Sequence, residues 1–248
     1  MSQSVTVTGM VLSQSPVGEY DKRIVILTKE KGRISAFAKG ARRQNSPLMG
    51  VTNPFSFGEF TLYEGRTSYN VMQANISNYF MELSADLEGA YYGFYFLEFA
   101  DYYTKEYNDE TQMLKLLYQT LRALASGKIK RDLVRCIFEL KALVINGEYP
   151  EVFRCSNCGT TEGEFVFSSK NRGIICEECR VLGTDGIRIN GATIYTLQYI
   201  VSSSIEKLYT FTVSDEVLSQ LKRVLKRYIE MYVDKRFKSL EILEMCLD

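Results

Sequence analysis

The chain has 248 residues, of which 46% are hydrophobic and 24% are charged, a composition ordinary for a globular protein of one or two domains. It contains no histidine, which excludes Ser-His-Asp and Cys-His catalysis, the HExxH metalloproteases and histidine-ligated metals. Neither a Walker A motif nor a GxGxxG motif occurs, so the usual ATP-hydrolysing and dinucleotide-binding sites are not expected. The composition therefore favours binding over catalysis.

The sequence shows no sign of a membrane or export signal. No apolar run reaches the roughly 18 residues that are needed to cross a bilayer, so we expect no transmembrane helix and no membrane partner. Residues 1–10 are polar and alternating, without the basic start and apolar block of a signal peptide. These features predict a cytoplasmic protein.

The formal net charge is zero, with 30 basic and 30 acidic residues, but the charges are unevenly placed. Residues 22–43 have a net charge of +7, and residues 222–238 have a net charge of +5. Between them, residues 44–104 have a net charge of −6. Blocks of one sign create local potentials, and the two basic blocks indicate contact with a polyanion. The alternative is that they form solvated surfaces with ordinary helix charges.

The first 80 residues have the alternating pattern of β-strands. Short apolar runs lie at residues 5–12, 24–27, 34–38, 57–63 and 71–76. Turn residues separate these runs, namely Gly18, Lys31–Gly32, Pro47–Gly50, Pro54 and Glu64–Gly65. Five such strands predict a small barrel, with the five-stranded OB-fold as the first candidate and an SH3-like barrel as the alternative.

After about residue 81 the apolar residues recur at helical spacing. We predict helices over residues 83–97, 113–124, 133–145, 192–201, 217–232 and 240–247. Gly127 ends the second helix, and Gly147 with Pro150 ends the third. Cys136 and Cys246 lie on apolar helical faces and are expected in the core.

Four of the six cysteines form two CxxC pairs, Cys155–Cys158 and Cys176–Cys179, separated by 17 residues. Four thiolates at this spacing are the ligands of structural zinc, and they leave no position for a catalytic water. Gly159 and Gly173, beside the pairs, are expected to permit tight turns. We predict one structural Zn²⁺. Two disulfides or four buried thiols are the alternatives, and a cytoplasmic location disfavours disulfides.

Residues 151–186 interrupt the helical pattern and are rich in Gly, Ser, Thr and Cys, as an inserted module would be. The fold class expected is α+β, with an N-terminal OB-fold β-barrel followed by a helical domain with an embedded four-cysteine zinc module. The predicted domains are the OB-fold over residues 1–80, the helical domain over 81–150 and 187–248, and the zinc-binding module over 151–186. The helices on either side of the module are expected to pack together, because neither set alone makes a large core.

The first basic block covers the second and third predicted strands and the loop after them. In OB-folds the face of these strands binds oligonucleotides, and lysine and arginine track the phosphates. The predicted DNA-binding residues are Lys22, Arg23, Lys31, Arg33, Lys39, Arg42 and Arg43. Gly40 lets the backbone approach a phosphate closely. Tyr20, Phe37 and Tyr63 are candidates for stacking on bases, although aromatic residues in a small barrel more often belong to the core.

The combination of a basic barrel, a helical body and a four-cysteine module resembles the bacterial RecO family of recombination mediators. The resemblance is carried by Gly18-Glu-Tyr-Asp-Lys22, Leu27-Thr-Lys-Glu-Lys-Gly-Arg33, Ala38-Lys-Gly-Ala-Arg-Arg43, Ser46-Pro-Leu48, Tyr95-Phe-Leu-Glu-Phe99, Phe138-Glu-Leu140, Gly147-Glu-Tyr-Pro150, both CxxC pairs and Lys238-Ser-Leu240. These motifs cover nearly the whole chain in the order of the family. Lys39, Arg42, Arg43 and the four cysteines match the motifs of the family.

The resemblance implies binding of single- and double-stranded DNA and ATP-independent annealing of complementary strands, including strands coated by the single-stranded-DNA-binding protein SSB. It also implies that the protein, with RecR, helps to load RecA, with RecF as a further partner. Such a protein is not an enzyme, and it is associated with the nucleoid in the cytoplasm. The family docks the acidic C-terminal tail of SSB on its helical domain, for which Arg122, Arg131 and Arg135 are candidates by charge and location.

Two alternatives come from other classes of protein. The chain could be a scaffold that binds only proteins, in which case the basic blocks would contact acidic partners. It could also be a nuclease that uses magnesium on the carboxylates of residues 82–110. Their helical spacing among aromatic residues favours a solvated helix face instead.

Overall fold

The computed structural model describes residues 4–65, 68–180 and 185–247. Its internal contacts divide the chain into two compact units. One unit comprises the described residues up to Ala125 together with those from Phe237 onward, and the other is Ser126–Arg236. The predicted three-part domain division, which separates barrel, helices and cysteine module by sequence pattern, stays a prediction.

The first unit contains a closed barrel of β1 (Ser4–Val17), β2 (Asp21–Thr28), β3 (Gly32–Ala38), β4 (Phe57–Glu64) and β5 (Tyr69–Asn78). The strands follow the order β1-β2-β3-β5-β4, and β4 pairs again with β1. All neighbours are antiparallel except β3 and β5, which pair in parallel. This closed five-stranded barrel is an OB-fold, so the first of the two predicted barrel types is confirmed.

Side-chain alternation explains the core of the barrel. Along β3, Ile34 and Ala36 are buried while Ser35 and Phe37 lie on the outer surface, because successive side chains of a strand point to opposite faces. Leu48 joins the same core from the one-turn helix α1 (Leu48–Val51). The sequence predicted only a turn at this point.

In the described part of the chain, seven further helices follow the barrel strands. They are α2 (Met81–Ser84), α3 (Leu87–Tyr103), α4 (Thr111–Ser126), α5 (Arg131–Ile145), α6 (Gly191–Ser202), α7 (Asp215–Tyr232) and α8 (Lys238–Leu247). The predicted run from residue 83 is split at Asp86, whose carboxylate accepts a hydrogen bond from the Gly89 backbone N–H at 3.2 Å and caps α3. None of the helices in the described ranges is long and apolar enough to cross a membrane.

Helix α8 returns the end of the chain to the first unit, where it packs on α3. The Glu98 carboxylate of α3 accepts hydrogen bonds from the backbone N–H and the hydroxyl of Ser239, at 2.9 and 2.5 Å. Phe237 stacks on Phe99 with ring centroids 5.1 Å apart. A carboxylate at a helix N-terminus satisfies N–H groups that have no partner within the helix.

The second unit contains α5, α6 and α7, with α5 packed against the other two. A three-stranded antiparallel sheet lies in the same unit, in the order β7 (Gly173–Cys176), β6 (Phe165–Ser168), β8 (Ile187–Arg188). Helices from before and after the cysteine module therefore pack together, as predicted.

A buried lysine joins α5 to the end of α6. The Lys141 ammonium group donates hydrogen bonds to the backbone oxygens of Ile200, Val201 and Ser203, at 3.3, 3.0 and 2.6 Å. Burial lowers the pKa of Lys141 from its ordinary value. The last carbonyl groups of a helix have no partner within the helix and carry the negative end of its dipole, so this cation stabilises the terminus of α6.

Replacing Lys141 with methionine keeps the apolar stem and removes the ammonium group. Because the three carbonyl oxygens lose their shared donor, we expect the free energy of unfolding to fall by about 2 kcal/mol, as measured by urea denaturation followed by circular dichroism. The control is Lys128→Met, at an exposed lysine of the same unit, which should change stability by less than about 0.5 kcal/mol. Equal stability of the two variants would contradict the role of Lys141.

Candidate nucleic-acid interface and metal centre

The sulfur atoms of Cys155, Cys158, Cys176 and Cys179 all lie within 4.8 Å of one another. The Cys158 and Cys176 sulfurs are 3.7 Å apart. A tetrahedron of sulfurs around zinc, with Zn–S distances of about 2.3 Å, has S···S edges of about 3.8 Å. The spacing fits a single metal ion held by four thiolates, and it is too long for the bond of about 2.05 Å that a disulfide requires.

Local backbone structure places the four ligands. Gly159, with φ +79°, turns the chain after the first pair and donates its N–H to the Cys155 oxygen at 2.9 Å. Cys176 ends β7, and Cys179 lies in the 3₁₀ turn that follows. Gly173 does not form the predicted tight turn. A Cβ at this position would lie 2.2 Å from the Glu151 oxygen, so glycine is needed there for close packing of two backbone segments.

Hydrogen bonds within the cysteine cluster shift the pKa values of Cys155 and Cys179 in opposite directions. Burial raises the pKa of the Cys155 thiol, but backbone N–H groups of Cys158, Cys176 and Asn157 outweigh this effect and lower it to about 6. Hydrogen bonds shared with the thiols of Cys158 and Cys176 raise the pKa of Cys179 to about 12. A divalent cation would stabilise all four thiolates together, because metal binding displaces the protons that these sulfurs otherwise share.

The two remaining cysteines differ in their environment. Cys136 is buried in α5, as predicted, and burial raises the pKa of its thiol well above the ordinary value. The prediction that Cys246 lies in the core is wrong, because this residue is exposed on α8. Leu243 of this short helix is buried, whereas the nearby Met245 is 73% exposed.

The loop after β3 presents three exposed cations, Lys39, Arg42 and Arg43, which together with Tyr20 we call the basic cluster. Gly40 has φ +67°, and its N–H donates to the Asp21 carboxylate at 2.7 Å. The backbone N–H of Arg42 donates a hydrogen bond to the backbone oxygen of Tyr20 at 2.8 Å, which connects this loop to the turn between β1 and β2.

The side chains of the basic cluster are partly ordered by their neighbours. The Arg43 guanidinium lies over the Tyr20 ring, 5.1 Å from its centroid, in a cation–π contact. The Arg42 guanidinium donates to the Gly18 oxygen at 3.3 Å. Within the described ranges, none of the three cations of the cluster forms an ion pair with an acid.

The outer face of β2 and β3 continues the basic cluster. Arg23 is exposed, lies directly opposite Phe37 in the register of these strands, and donates to the Ser35 hydroxyl at 2.8 Å. Phe37 is half-buried, and Tyr63 on β4 is 40% exposed. The structure therefore brings Arg23 and Phe37 onto one surface.

Lys22 has structural contacts of its own. Its ammonium group donates to the Met49 oxygen at 3.2 Å, the Thr52 hydroxyl at 3.3 Å and the Asn53 amide oxygen at 3.0 Å. Burial, and secondarily the charge of Arg42, lowers the pKa of Lys22. This lysine therefore holds the segment around α1 against the barrel.

Lys31 and Arg33 lie at the other end of the β2–β3 hairpin. Lys22 and Thr28 lie near opposite ends of β2, about 20 Å apart. The Lys31 ammonium is 3.6 Å from the Glu64 carboxylate. Arg33 is 3.3 Å from the Asp101 carboxylate and donates to the Thr104 oxygen at 3.0 Å. The predicted set of seven cations is thus divided between an end with acidic partners and the end that carries the basic cluster.

Comparison with known families gives two adjoining matches. The family model described as "Recombination protein O N terminal" matches residues 1–80, and "Recombination protein O C terminal" matches residues 84–241. The chain belongs to the RecO family. It is 35% identical to the DNA repair protein RecO of Alkaliphilus metalliredigens, over 94% of this chain and 96% of that protein. The RecO of Acetivibrio thermocellus is 30% identical over 96% and 95%, and that of Bacillus subtilis is 28% identical over 95% and 92%.

The three arginines predicted to hold an SSB tail in this RecO-family protein lie on helices of different compact units. Arg122 is exposed on α4 in the first unit, whereas Arg131 and Arg135 lie on α5 in the second unit. Arg135 donates to the buried Glu139 carboxylate at 2.7 Å, with only 13% of its side chain exposed. The tail site stays a prediction.

Three of the carboxylates considered for a nuclease serve other contacts. Asp86 caps α3, Glu98 accepts from the start of α8, and Asp101 pairs with Arg33. Within the described ranges, the four cysteines form the one group of three or more potential ligands close enough to share an ion.

Changing Cys155 and Cys158 together to serine removes half of the thiolates. We expect the metal content, measured by inductively coupled plasma mass spectrometry, to fall from about one ion per chain to nearly none. Cys246→Ser, at an exposed cysteine outside the cluster, is the control and should retain the metal. Full metal content in the double variant would mean that the cluster is not the metal centre.

Proposed function

We propose that this RecO-family protein binds single- and double-stranded DNA and anneals complementary strands, including SSB-coated strands, without ATP. The observation that supports this function best is the basic cluster, which presents three exposed cations beside the turn between β1 and β2. Family membership gives it a role in DNA repair and recombination.

The proposed mechanism is neutralisation of phosphates. Lys39, Arg42 and Arg43 contact the backbone of a strand and lower the repulsion between two strands, while the bases stay free to pair. Tyr20, 42% exposed, offers a ring for stacking, and Arg43 keeps one side of that ring covered. Arg23 extends the contact along the outer face of the barrel.

Lys22, Lys31 and Arg33 are proposed to act on DNA less directly. Their charges add to the positive potential over the β2–β3 hairpin, which attracts polyanions beyond contact distance. The hydrogen bonds and ion pairs of these three side chains serve the fold at the same time. Their substitution is therefore expected to affect stability as well as affinity.

The metal proposed for the cysteine cluster is one structural Zn²⁺. The four-thiolate donor set and the 3.7 Å sulfur spacing fit it. Zinc held by four thiolates has no open position for water, so it would stabilise the fold of the module and take no part in a reaction. We accordingly propose that the protein is not an enzyme.

The proposed partners follow from the same role. The protein would act with RecR in loading RecA onto SSB-coated DNA, with RecF as a further partner, in the cytoplasm at the nucleoid. For the acidic SSB tail, Arg122 is exposed and suited to a terminal carboxylate, and Arg131 and Arg135 are the further candidates on α5.

Reversing the three cations of the basic cluster tests the DNA site. In Lys39→Glu/Arg42→Glu/Arg43→Glu, the loss of about three phosphate contacts should weaken binding of a fluorescent oligo(dT) about 100-fold at 0.1 M salt and reduce the salt slope by about 2. Fluorescence anisotropy over a salt series measures both. Annealing of SSB-coated complementary oligonucleotides should slow in parallel.

The control for this variant carries the same charge change elsewhere. Lys29→Glu/Lys105→Glu/Lys128→Glu reverses three exposed lysines outside the cluster and should retain most of the affinity. If both triple variants bind and anneal equally well, the cluster is not the DNA site. Negligible DNA affinity of the unmodified protein would favour the scaffold interpretation.

Tyr20→Leu separates stacking from charge. Because stacking on an aromatic side chain is worth about 1–3 kcal/mol per base, affinity for oligo(dT) should fall at least about fivefold, whereas affinity for a duplex should change little. Tyr79→Leu, at another tyrosine of the barrel unit with 40% exposure, is the control. An equal loss for single strands and duplex would show that Tyr20 acts only by positioning Arg43.

A further inference from the structure

A second basic surface lies in the second unit, on a groove between α7 and the edge of the cysteine module. This groove is open to solvent and has a volume of about 670 Å³. Its lining consists of Arg180, Gly186, Ile187 and Arg188 on the module and Arg223, Lys226, Arg227 and Glu230 on α7. Cations therefore face the groove from both walls, and Glu230 is the one acid among the lining residues.

Two of the lining arginines have acidic partners. Arg180 is 3.3 Å from the Glu177 carboxylate. Arg227 is 4.0 Å from Asp185, a buried carboxylate that also accepts from the Ser168 hydroxyl at 2.6 Å. The acidic partners of these two arginines offset their charges.

The other three cations supply the charge of the groove. Arg188, Arg223 and Lys226 are exposed, and among the described residues none of them pairs with an acid. By contrast, Lys222, which comes directly before Arg223 on α7, is paired with Asp132. A single exposed cation without an acidic partner is common, because water solvates it well. Here three such cations line the same groove, so their charges add to one positive potential.

We propose that this groove binds the phosphate backbone of a second DNA strand during annealing. The inference rests on the proposed function and extends it to the second compact unit. Arg223 and Lys226 lie on successive turns of α7, and Arg188 faces them from β8, which is the two-sided arrangement of cations that tracks a backbone. None of the described residues that line the groove is aromatic, so the bases of the bound strand would stay free to pair.

The lining argues against an acidic peptide as the occupant. A peptide that ends in an aromatic residue needs an apolar pocket beside the basic residue. Among the described residues that line the groove, Ile187 is the one large apolar side chain. A phosphate backbone needs only the cations, and the groove supplies them.

The test compares two variants of the full-length, metal-loaded protein with the same change in charge. Arg223→Glu/Lys226→Glu alters the groove, and Lys128→Glu/Lys207→Glu alters two exposed lysines of the same unit that do not line it. Donor-labelled and acceptor-labelled oligo(dT), which cannot pair, are mixed with each protein. Energy transfer then reports two strands on one protein, and anisotropy reports the first strand alone.

We expect the unmodified protein and the control to give energy transfer. The groove variant should bind the second strand at least about tenfold more weakly at 0.1 M salt and anneal more slowly, while binding of the first strand through the basic cluster persists. Circular dichroism should match among the three proteins. This combination would support the second-strand site.

Equal energy transfer and annealing in the groove variant and the control would overturn the inference and leave the proposed function intact. Failure of the unmodified protein to bind oligo(dT) would overturn both. If the groove variant instead keeps the second strand and loses binding of a fluorescent acidic peptide ending in phenylalanine, the groove is a peptide site and the inference is wrong.

Discussion

The close approach of the β2–β3 turn to the segment after α3 is the contact on which the first unit depends. Gly32 adopts φ +66°, and a Cβ there would lie 2.3 Å from the Lys105 oxygen, so only glycine fits. Backbone hydrogen bonds join the two segments on either side, from Arg33 N–H to the Lys105 oxygen and from Tyr107 N–H to the Lys31 oxygen, both at 3.0 Å. The barrel and α3 are fixed to each other by this contact, and α3 in turn holds α8 through Glu98.

The same contact divides the basic block in two. Arg33 must lie beside Asp101 because Gly32 brings its backbone against the end of α3. At the opposite end of the hairpin the loop is held by backbone groups and by Asp21, so Lys39, Arg42 and Arg43 keep their charges exposed. A single run of cations therefore provides both the connection to the helices and the proposed DNA surface.

The sequence predicted those features that depend on local pattern. Alternating apolar residues predict the barrel strands, helical spacing predicts the long helices, and the CxxC spacing predicts the cysteine cluster. The division of the cations depends on partners far along the chain, since Asp101 is 68 residues from Arg33. The acidic block next to the basic one was a signal for such pairing, but net charge does not specify which residues meet. The role of Gly173 has the same cause, because its environment is set by the Glu151 segment, 22 residues away.

The exposed cluster on the barrel has a consequence for the conditions under which the protein works. The Lys22 ammonium group stabilises the barrel unit through hydrogen bonds to three oxygen atoms. Among the described residues, the side chains of Lys39 and Arg43 form no such hydrogen bonds, and the Arg43 guanidinium lies over the Tyr20 ring. The number of cations at this site can therefore be raised or lowered without disturbing the fold. Because each phosphate contact at the proposed DNA surface would steepen the dependence of affinity on ionic strength, the number of cations there would set the range of salt concentration over which strands are released.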